Sequence, residues 1–256
     1  MKLFGIIGYP LSHSFSSRFF MEKFNNLKID AQYINFPIES ISLFPELLKS
    51  HPDLVGLNVT MPYKEQIIPF LDTLSAEAEK TGAVNVVKIL RNSDETKLIG
   101  YNTDIYGFTN SLKPLLKPCH KKALILGTGG ASKAVAYGLS LLGIQYSFVS
   151  RFSSSNNLVY DSLTSEIIND NKLIINTTPT GMYPEVSNYP VIPYQGFSKD
   201  HLAYDLIYNP EKTLFLENAL KYGATIKNGS EMLVLQAEET WRIINCAQDK
   251  TRTCTP

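Results

Sequence analysis

The chain has 256 residues, 44% of them hydrophobic, and its 24 basic residues balance 24 acidic ones. This length is typical of two ordinary domains, and the zero net charge offers no basic surface for nucleic acid or a membrane. No stretch has the roughly 20 apolar residues of a membrane helix. The three cysteines, Cys119, Cys246 and Cys254, form no CxxC pair and no zinc-ligand cluster. This usage indicates free thiols in a cytoplasmic protein without a bound metal.

Apolar runs alternate with segments of helical periodicity along the first hundred residues. Strands are predicted at residues 3–7, 31–36 and 54–59, with strand-like segments around 85–90 and 97–101. Helices are predicted at residues 17–25 and 76–81, and Pro62 fits the first position of a further helix. The alternation predicts an α/β fold with parallel strands.

The rhythm changes near residue 105, where we place the start of a second domain. A connecting helix is predicted at residues 108–116, and a fully apolar strand follows at 123–126. The later predicted elements are a helix at 133–142, strands at 146–149, 173–176 and 202–206, and a long helix at 231–245. The strand–turn–helix–strand order is that of a βαβ unit.

A glycine-rich turn, Gly127-Thr-Gly129-Gly130 followed by Ala131, lies between that apolar strand and its helix. Glycines there let backbone N–H groups approach a pyrophosphate at the positive end of the helix. A third fingerprint glycine is missing, so the motif is a variant of GxGxxG, and a tight turn without a ligand is the alternative.

The next strand ends in Ser150-Arg151, and no acidic residue occurs before Asp161. NAD-specific sites usually place an acidic residue there for the ribose 2′-hydroxyl, whereas an arginine suits a 2′-phosphate. The sequence therefore favours NADP, with NAD still possible if Arg151 is only a solvated surface residue.

Two polar stretches occur in the first hundred residues. Lys64 follows Pro62 and is predicted in the first turn of a helix, where the helix dipole disfavours the ammonium form and eases proton exchange. Asp104 ends the loop at 100–104 and is a candidate partner for Lys64, although pairing would favour the charged lysine. An exposed lysine and a turn-shaping loop are the alternatives.

Taken together, the motifs resemble those of the shikimate dehydrogenase family over almost the whole chain. They are G-Y-P-L-S-H-S-F-S at 8–16, N-V-T-M-P-Y-K at 58–64, G-A-V-N at 82–85, N-T-D at 102–104, N-T-T-P-T-G-M at 176–182, D-L-I-Y-N-P-x-x-T at 205–213 and G-x-x-M-L-V-x-Q at 229–236.

The resemblance implies two α/β domains, a substrate-binding catalytic domain at 1–104 plus 230–256 and a Rossmann-like NADP-binding domain at 105–229. The active site is expected in a cleft between them. The implied reaction is the NADPH-linked reduction of 3-dehydroshikimate to shikimate, on the route to aromatic amino acids, by a monomer or homodimer.

The resemblance also assigns roles to single residues. Lys64 and Asp104 are the implied catalytic pair. The implied substrate contacts are Ser14, Ser16, Thr60, Asn85, Asp104, Tyr208 and Gln236. The implied cofactor contacts are Gly127, Gly129, Gly130, Ala131, Ser150, Arg151, Leu206 and Gly229.

Two departures from the family pattern leave alternatives open. The segment after Arg151 lacks the second basic residue that NADP-using relatives often have, and the tail after Asn245 matches nothing in the family. The alternatives are a quinate/shikimate dehydrogenase that prefers NAD and a catalytically silent relative that senses the ring acid or the nucleotide.

Overall fold

The computed structural model describes residues 1–11, 14–93, 95–152 and 157–245. The segment 153–155 after Arg151 and the tail with Cys246 and Cys254 lie outside these residues. The chain divides into two compact units. The first contains residues 1–103 and, of the described chain, 237–245, and the second contains Asp104–Gln236. The boundary between the units falls at residue 237, inside the last helix, whereas the predicted domain boundary lies at residue 230.

The first unit contains a six-stranded mixed sheet of order β2-β1-β3-β5-β6-β4. Its strands are β1 Lys2–Gly8, β2 Ala31–Pro37, β3 Leu54–Val59, β4 Thr73–Leu74, β5 Val86–Arg91 and β6 Thr96–Tyr101. Its helices are α1 Phe15–Leu27, α2 Phe44–Ser50 and α3 Ala76–Thr81, with 3-10 turns at Ile41–Leu43 and Ile68–Phe70.

The second unit contains a six-stranded parallel sheet of order β12-β11-β10-β7-β8-β9. Its strands are β7 Lys122–Leu126, β8 Gln145–Ser150, β9 Asn157–Val159, β10 Leu173–Asn176, β11 Leu202–Asp205 and β12 Thr225–Lys227. Its helices are α4 Asp104–Leu112, α5 Gly130–Leu141, α6 Ser165–Asp170, α7 Leu214–Lys221 and the start of α8 Ser230–Asn245, with 3-10 turns at Lys113–Leu115, Tyr160–Ser162 and Tyr194–Gly196.

Counted within the unit, this strand order is the 3-2-1-4-5-6 arrangement of the Rossmann fold. The sheet is buried on both faces, since Leu124 and Leu126 of β7 pack into one apolar cluster and Ala123 and Ile125 into another. The predicted α/β class with a Rossmann-like domain is confirmed. Among the described residues, no helix is long and apolar enough to cross a membrane.

The prediction of a helix that begins at Pro62 is wrong. Residues 61–67 form successive turns, followed by the 3-10 turn Ile68–Phe70. The carbonyl oxygen of Lys64 accepts the N–H of Val84 at 2.7 Å instead of one four residues ahead, so the helical ladder is not continued. Lys64 therefore does not lie in the first turn of a helix.

Helix α4 is attached to the sheet of the second unit by a buried polar contact. The hydroxyl groups of Ser111 on α4 and Tyr204 on β11 lie 2.7 Å apart, and Tyr204 is fully buried. The rings of Phe108 and Tyr204 meet edge to face with centroids 5.4 Å apart. These contacts hold the helix whose first residue is Asp104.

We predict that Tyr204→Phe lowers the free energy of unfolding by about 1 kcal/mol, because it removes one hydrogen bond and keeps the ring. Tyr204→Ala should cost about 3 to 5 kcal/mol, because it also leaves a cavity. Urea denaturation of both variants measures the difference. Equal losses in the two variants would contradict the assignment of most of the stabilisation to the ring.

Candidate functional site

The sequence-predicted residues of the first unit lie at one edge of its sheet. Strands β1 and β3 are parallel, β5 is antiparallel to β3, and β6 is antiparallel to β5. The carboxyl ends of β1, β3 and β6 and the amino end of β5 therefore share an edge. The residues that leave or enter the sheet there are the loop from Gly8, Thr60 with Lys64, Asn85, and residues 102–103.

Lys64 is held at this edge through its backbone. Thr60 N donates to Ile7 O at 2.9 Å, which fixes the end of β3 against the end of β1. The Tyr63 side chain is buried and its hydroxyl donates to Ile38 O at 2.6 Å. With the Val84 bond to its carbonyl, Lys64 is partly buried in a segment fixed on both sides.

Asn85 is almost fully buried and joins β5 to the end of β6. Its Oδ1 accepts the N–H of Thr103 at 2.8 Å, and its Nδ2 donates to Thr103 Oγ1 at 3.0 Å. The Thr103 hydroxyl also lies 3.2 Å from that of Thr240 on α8. Asn85 thus fixes the residue that directly precedes Asp104 in the chain, a role that its motif did not indicate.

The two serines that the sequence predicts as substrate contacts, Ser14 and Ser16, lie at the start of α1. Ser14 caps α1, since its Oγ accepts the N–H of Ser17 at 3.3 Å. Ser16 lies in the first turn of α1 and is buried. Tyr33 is buried and its hydroxyl donates to Asn58 Oδ1 at 2.8 Å.

Sequence reasoning missed Tyr33 and Asn58. Asn58 stands out only as a polar residue in the apolar strand β3, within the motif at 58–64. Tyr33 has no motif of its own, and its partner is 25 residues away.

In the second unit, every strand is parallel to its neighbours, so all turns that follow strands leave from the carboxyl edge of the sheet. The glycine turn follows β7, Ser150-Arg151 ends β8 and begins the next turn, and residues 176–182 leave β10. Leu206 and Tyr208 follow β11, and Gly229 follows β12. This edge is where open α/β sheets bind ligands.

The glycine turn is shaped by close backbone contacts. Gly127 has φ of 104°, a region that favours glycine, and its N–H donates to Val149 O at 2.8 Å. A Cβ at Gly129 would meet no heavy atom within 4 Å, so the space above it is open. Gly129 precedes α5 and supplies no side-chain cap to its N-terminus, and Ala131 lies in the first turn.

Arg151 directly follows β8, whose end pairs with the end of β7 beside the glycine turn. Its side chain is exposed, with the guanidinium 5.8 Å from the centre of the Phe152 ring. Ser150 Oγ donates to Phe152 O at 2.9 Å and shapes this turn. The exposed cation lies at the sheet edge where the sequence predicts the 2′-phosphate.

The turn after β11 approaches β12 closely. Gly229 N donates to Ile207 O at 3.0 Å, and a Cβ at Gly229 would overlap the carbonyl group of Leu206. Only glycine fits there without movement of the backbone. Leu206 is partly buried, and Tyr208 is 40% exposed.

Two predicted site residues remain to be placed. Asp104 and Gln236 are buried and belong to the second unit, whereas Lys64 belongs to the first. Asp104 is the first residue of α4, four residues before the predicted start of that helix. Gln236 lies on α8 and its Nε2 donates to Leu233 O at 3.0 Å.

Comparison with known proteins identifies the family. The model of the shikimate dehydrogenase substrate binding domain matches residues 6–87. The chain is 38% identical over 260 residues to the shikimate dehydrogenase (NADP(+)) of Carboxydothermus hydrogenoformans, covering 94% of this chain and 91% of the relative.

Two solved structures extend the similarity to the fold. The shikimate dehydrogenase of Aquifex aeolicus has 34% identity and a TM-score of 0.84, with 96% of this chain and 93% of that chain covered. The shikimate 5-dehydrogenase of Thermus thermophilus, in complex with NADP(H) and shikimate, has 30% identity and a TM-score of 0.83, with 96% and 94% covered. Since the similarity extends over almost the whole of both chains, this protein belongs to the shikimate dehydrogenase family.

Proposed function

We propose that the protein is an NADP-dependent shikimate dehydrogenase, which catalyses the reversible reduction of 3-dehydroshikimate to shikimate in aromatic amino-acid biosynthesis. One observation carries the proposal: the family's motif residues gather at a single edge of each sheet, polar groups at the first and the glycine turn at the second. The relatives named above are enzymes of this activity.

The second unit fits a dinucleotide. The open space above Gly129 and the lack of a side-chain cap on α5 leave backbone N–H groups for a pyrophosphate. Arg151 would bind the ribose 2′-phosphate that distinguishes NADP from NAD, since it follows β8 beside the glycine turn. Leu206 and Gly229 would border the nicotinamide, which supplies the hydride when the cofactor is bound.

The first unit supplies the groups that orient the ring acid. Ser14 and Ser16, at the start of α1, would bind the carboxylate. Thr60 and Asn85 would bind ring hydroxyls at the same sheet edge. From the second unit, Asp104, Gln236 and Tyr208 are proposed to complete the substrate contacts.

Lys64 is the proposed acid and base. In the reductive direction its ammonium group would give a proton to the oxygen that develops negative charge at the C3 carbonyl carbon. In the oxidative direction the neutral amine would take that proton back. Asp104 is proposed to orient Lys64 and to accept a hydrogen bond from a ring hydroxyl.

We also propose that the protein works in the cytoplasm as a monomer or homodimer. The composition supports this location, because the three cysteines are too few and too scattered for a disulfide framework. Cys119, the one cysteine among the described residues, is exposed with a free thiol.

The function is tested by the initial rate of reduced-cofactor formation from shikimate, with NADP and NAD in parallel and quinate as the second substrate. We expect fast turnover of shikimate with NADP and much slower turnover with the other pairs. A preference for NAD or quinate would make the protein a quinate/shikimate dehydrogenase. No turnover by folded protein would leave a ligand-sensing role.

The role of Arg151 is tested by Arg151→Ala. Loss of the cation should raise KM for NADP by about 10- to 100-fold, the effect of roughly 1.4 to 2.8 kcal/mol, and leave KM for NAD unchanged. Lys122→Ala is the matched control, because it removes one exposed cation at the amino end of β7. An unchanged KM for NADP in Arg151→Ala would show that another group binds the 2′-phosphate.

The role of Lys64 is tested by Lys64→Ala at saturating substrate. We expect kcat to fall by about 10²- to 10⁴-fold with a modest change in KM, because proton transfer occurs only in the transition state. Lys80→Ala, which removes an exposed lysine on α3, should leave both parameters unchanged. A near-normal kcat in Lys64→Ala would assign the proton transfer to another group.

A further inference from the structure

Buried polar groups of the second unit form a hydrogen-bonded chain along the carboxyl edge of its sheet, with Asp205 at its centre. Asp205 ends β11 and is fully buried. Its Oδ2 accepts a hydrogen bond from Thr213 Oγ1 at 2.6 Å, and its Oδ1 accepts from Ile207 N at 3.0 Å and Asn176 Nδ2 at 3.1 Å. One carboxylate therefore joins the end of β10, the turn after β11 and the cap of α7.

Asn176 continues this chain towards the glycine turn. Its Oδ1 accepts from Thr178 Oγ1 at 2.7 Å and from Thr178 N at 3.1 Å. The neighbouring Thr177 Oγ1 donates to Leu126 O at 2.7 Å, at the end of β7. The loop after β10 is thus tied to the strand before the glycine turn on one side and to Asp205 on the other.

At its other end the chain reaches the turn that carries Leu206 and Tyr208. The Ile207 N–H that donates to Asp205 holds the middle of this turn, and Ile207 O accepts from Gly229 N at 3.0 Å. Asp205 therefore links the turn at 205–208, which is proposed to border the nicotinamide, to the loop at 176–182 beside the glycine turn.

We propose that Asp205 is a positioning residue for hydride transfer, whose carboxylate fixes the turn at 205–208 relative to the loop at 176–182. The residue acts through Thr213, Ile207 and Asn176, because its own side chain has no exposed surface. The inference rests on the proposed function, since it concerns how the nicotinamide end of that site is held.

The electrostatics of Asp205 show that this arrangement has a cost. Burial raises the pKa of its carboxyl group from 3.8 to about 6, against the effect of the three hydrogen bonds. Between about pH 4 and pH 6 the folded protein therefore binds a proton at Asp205 more tightly than the unfolded chain does. The free energy of unfolding falls as the pH rises through this range. Perturbed pKa values of this kind cluster at functional sites.

The test compares Asp205→Ala with Asp205→Asn in steady-state kinetics and in calorimetric binding of 2′,5′-ADP, the half of NADP without nicotinamide. Asp205→Ala should lower kcat for shikimate oxidation by about 100-fold, the effect of misplacing a reacting group by about 1 Å. Affinity for 2′,5′-ADP should change less than about twofold. Asp205→Asn, which can keep the bonds from Asn176 and Ile207, should regain most of kcat.

His201→Ala is the matched control, because His201 is fully buried and precedes the opposite end of the same strand. Its Nε2 lies 3.0 Å from Ile168 O, so the variant should lose stability and keep kcat. Equal losses of kcat and of 2′,5′-ADP affinity in Asp205→Ala would overturn the proposal, because they would mean general disruption of the unit. An unchanged kcat would overturn it as well.

A milder pair of variants decides the question if Asp205→Ala does not fold. Thr213→Val removes one donor to the carboxylate with little change in volume, whereas Thr213→Ser keeps the hydroxyl group. We expect kcat to fall several-fold in the valine variant only, and equal kcat values would overturn the proposal. Wild-type turnover of shikimate with NADP tests the proposed function separately, since it does not depend on any of these variants.

Discussion

Hydrogen bonding between parallel strands places the turns that carry the chemistry. In the second sheet, the registers Leu126↔Val149, Asn176↔Leu126 and Asn176↔Asp205 align the last residues of four strands to within one position. The glycine turn, Arg151 and the turn with Tyr208 therefore leave the sheet side by side. In the first sheet, the same geometry is extended by the antiparallel strands β5 and β6, which bring Asn85 and Thr103 to the edge of Thr60.

Buried polar side chains then hold the segments at each edge. Asn85 holds Thr103 in the first unit, and Asp205 holds Thr213 and Asn176 in the second. Removing one member of such a network leaves the partner buried without its hydrogen bond, which costs more than the bond contributes. Hydrogen-bonded networks of this kind hold loops in one geometry, which is what a hydride transfer requires.

Apolar runs and glycines were sufficient to predict most strands. The bounds of β3 and β10 match the prediction, because continuous burial selects apolar residues over the full length of a strand. The bounds of α3 and the fold class match the prediction as well. The short helices α2, α6 and α7 were not predicted. The strands β4, β9 and β12 were not predicted either, since a strand of two or three residues shows no periodicity.

The predicted helix at Pro62 failed for a different reason: a long-range bond from Val84 takes the carbonyl group of Lys64. Tyr33, Thr103 and Asp205 likewise form side-chain hydrogen bonds with residues 18 to 29 positions away in the chain. No local sequence pattern encodes such contacts. The motif residues were found because their order resembles a family. Their roles in catalysis stay predictions.

Binding of ligands at one edge of each sheet is tested most directly by hydrogen–deuterium exchange with each ligand added separately. We expect NADP to slow exchange in peptides covering residues 127–131, 150–151, 176–182 and 205–208, and shikimate to slow it in peptides covering 8–16, 58–64 and 85. Protection at the opposite edges, such as the turns before β7 and β11, would show that the ligands bind elsewhere. So would binding of either ligand without protection of its own edge.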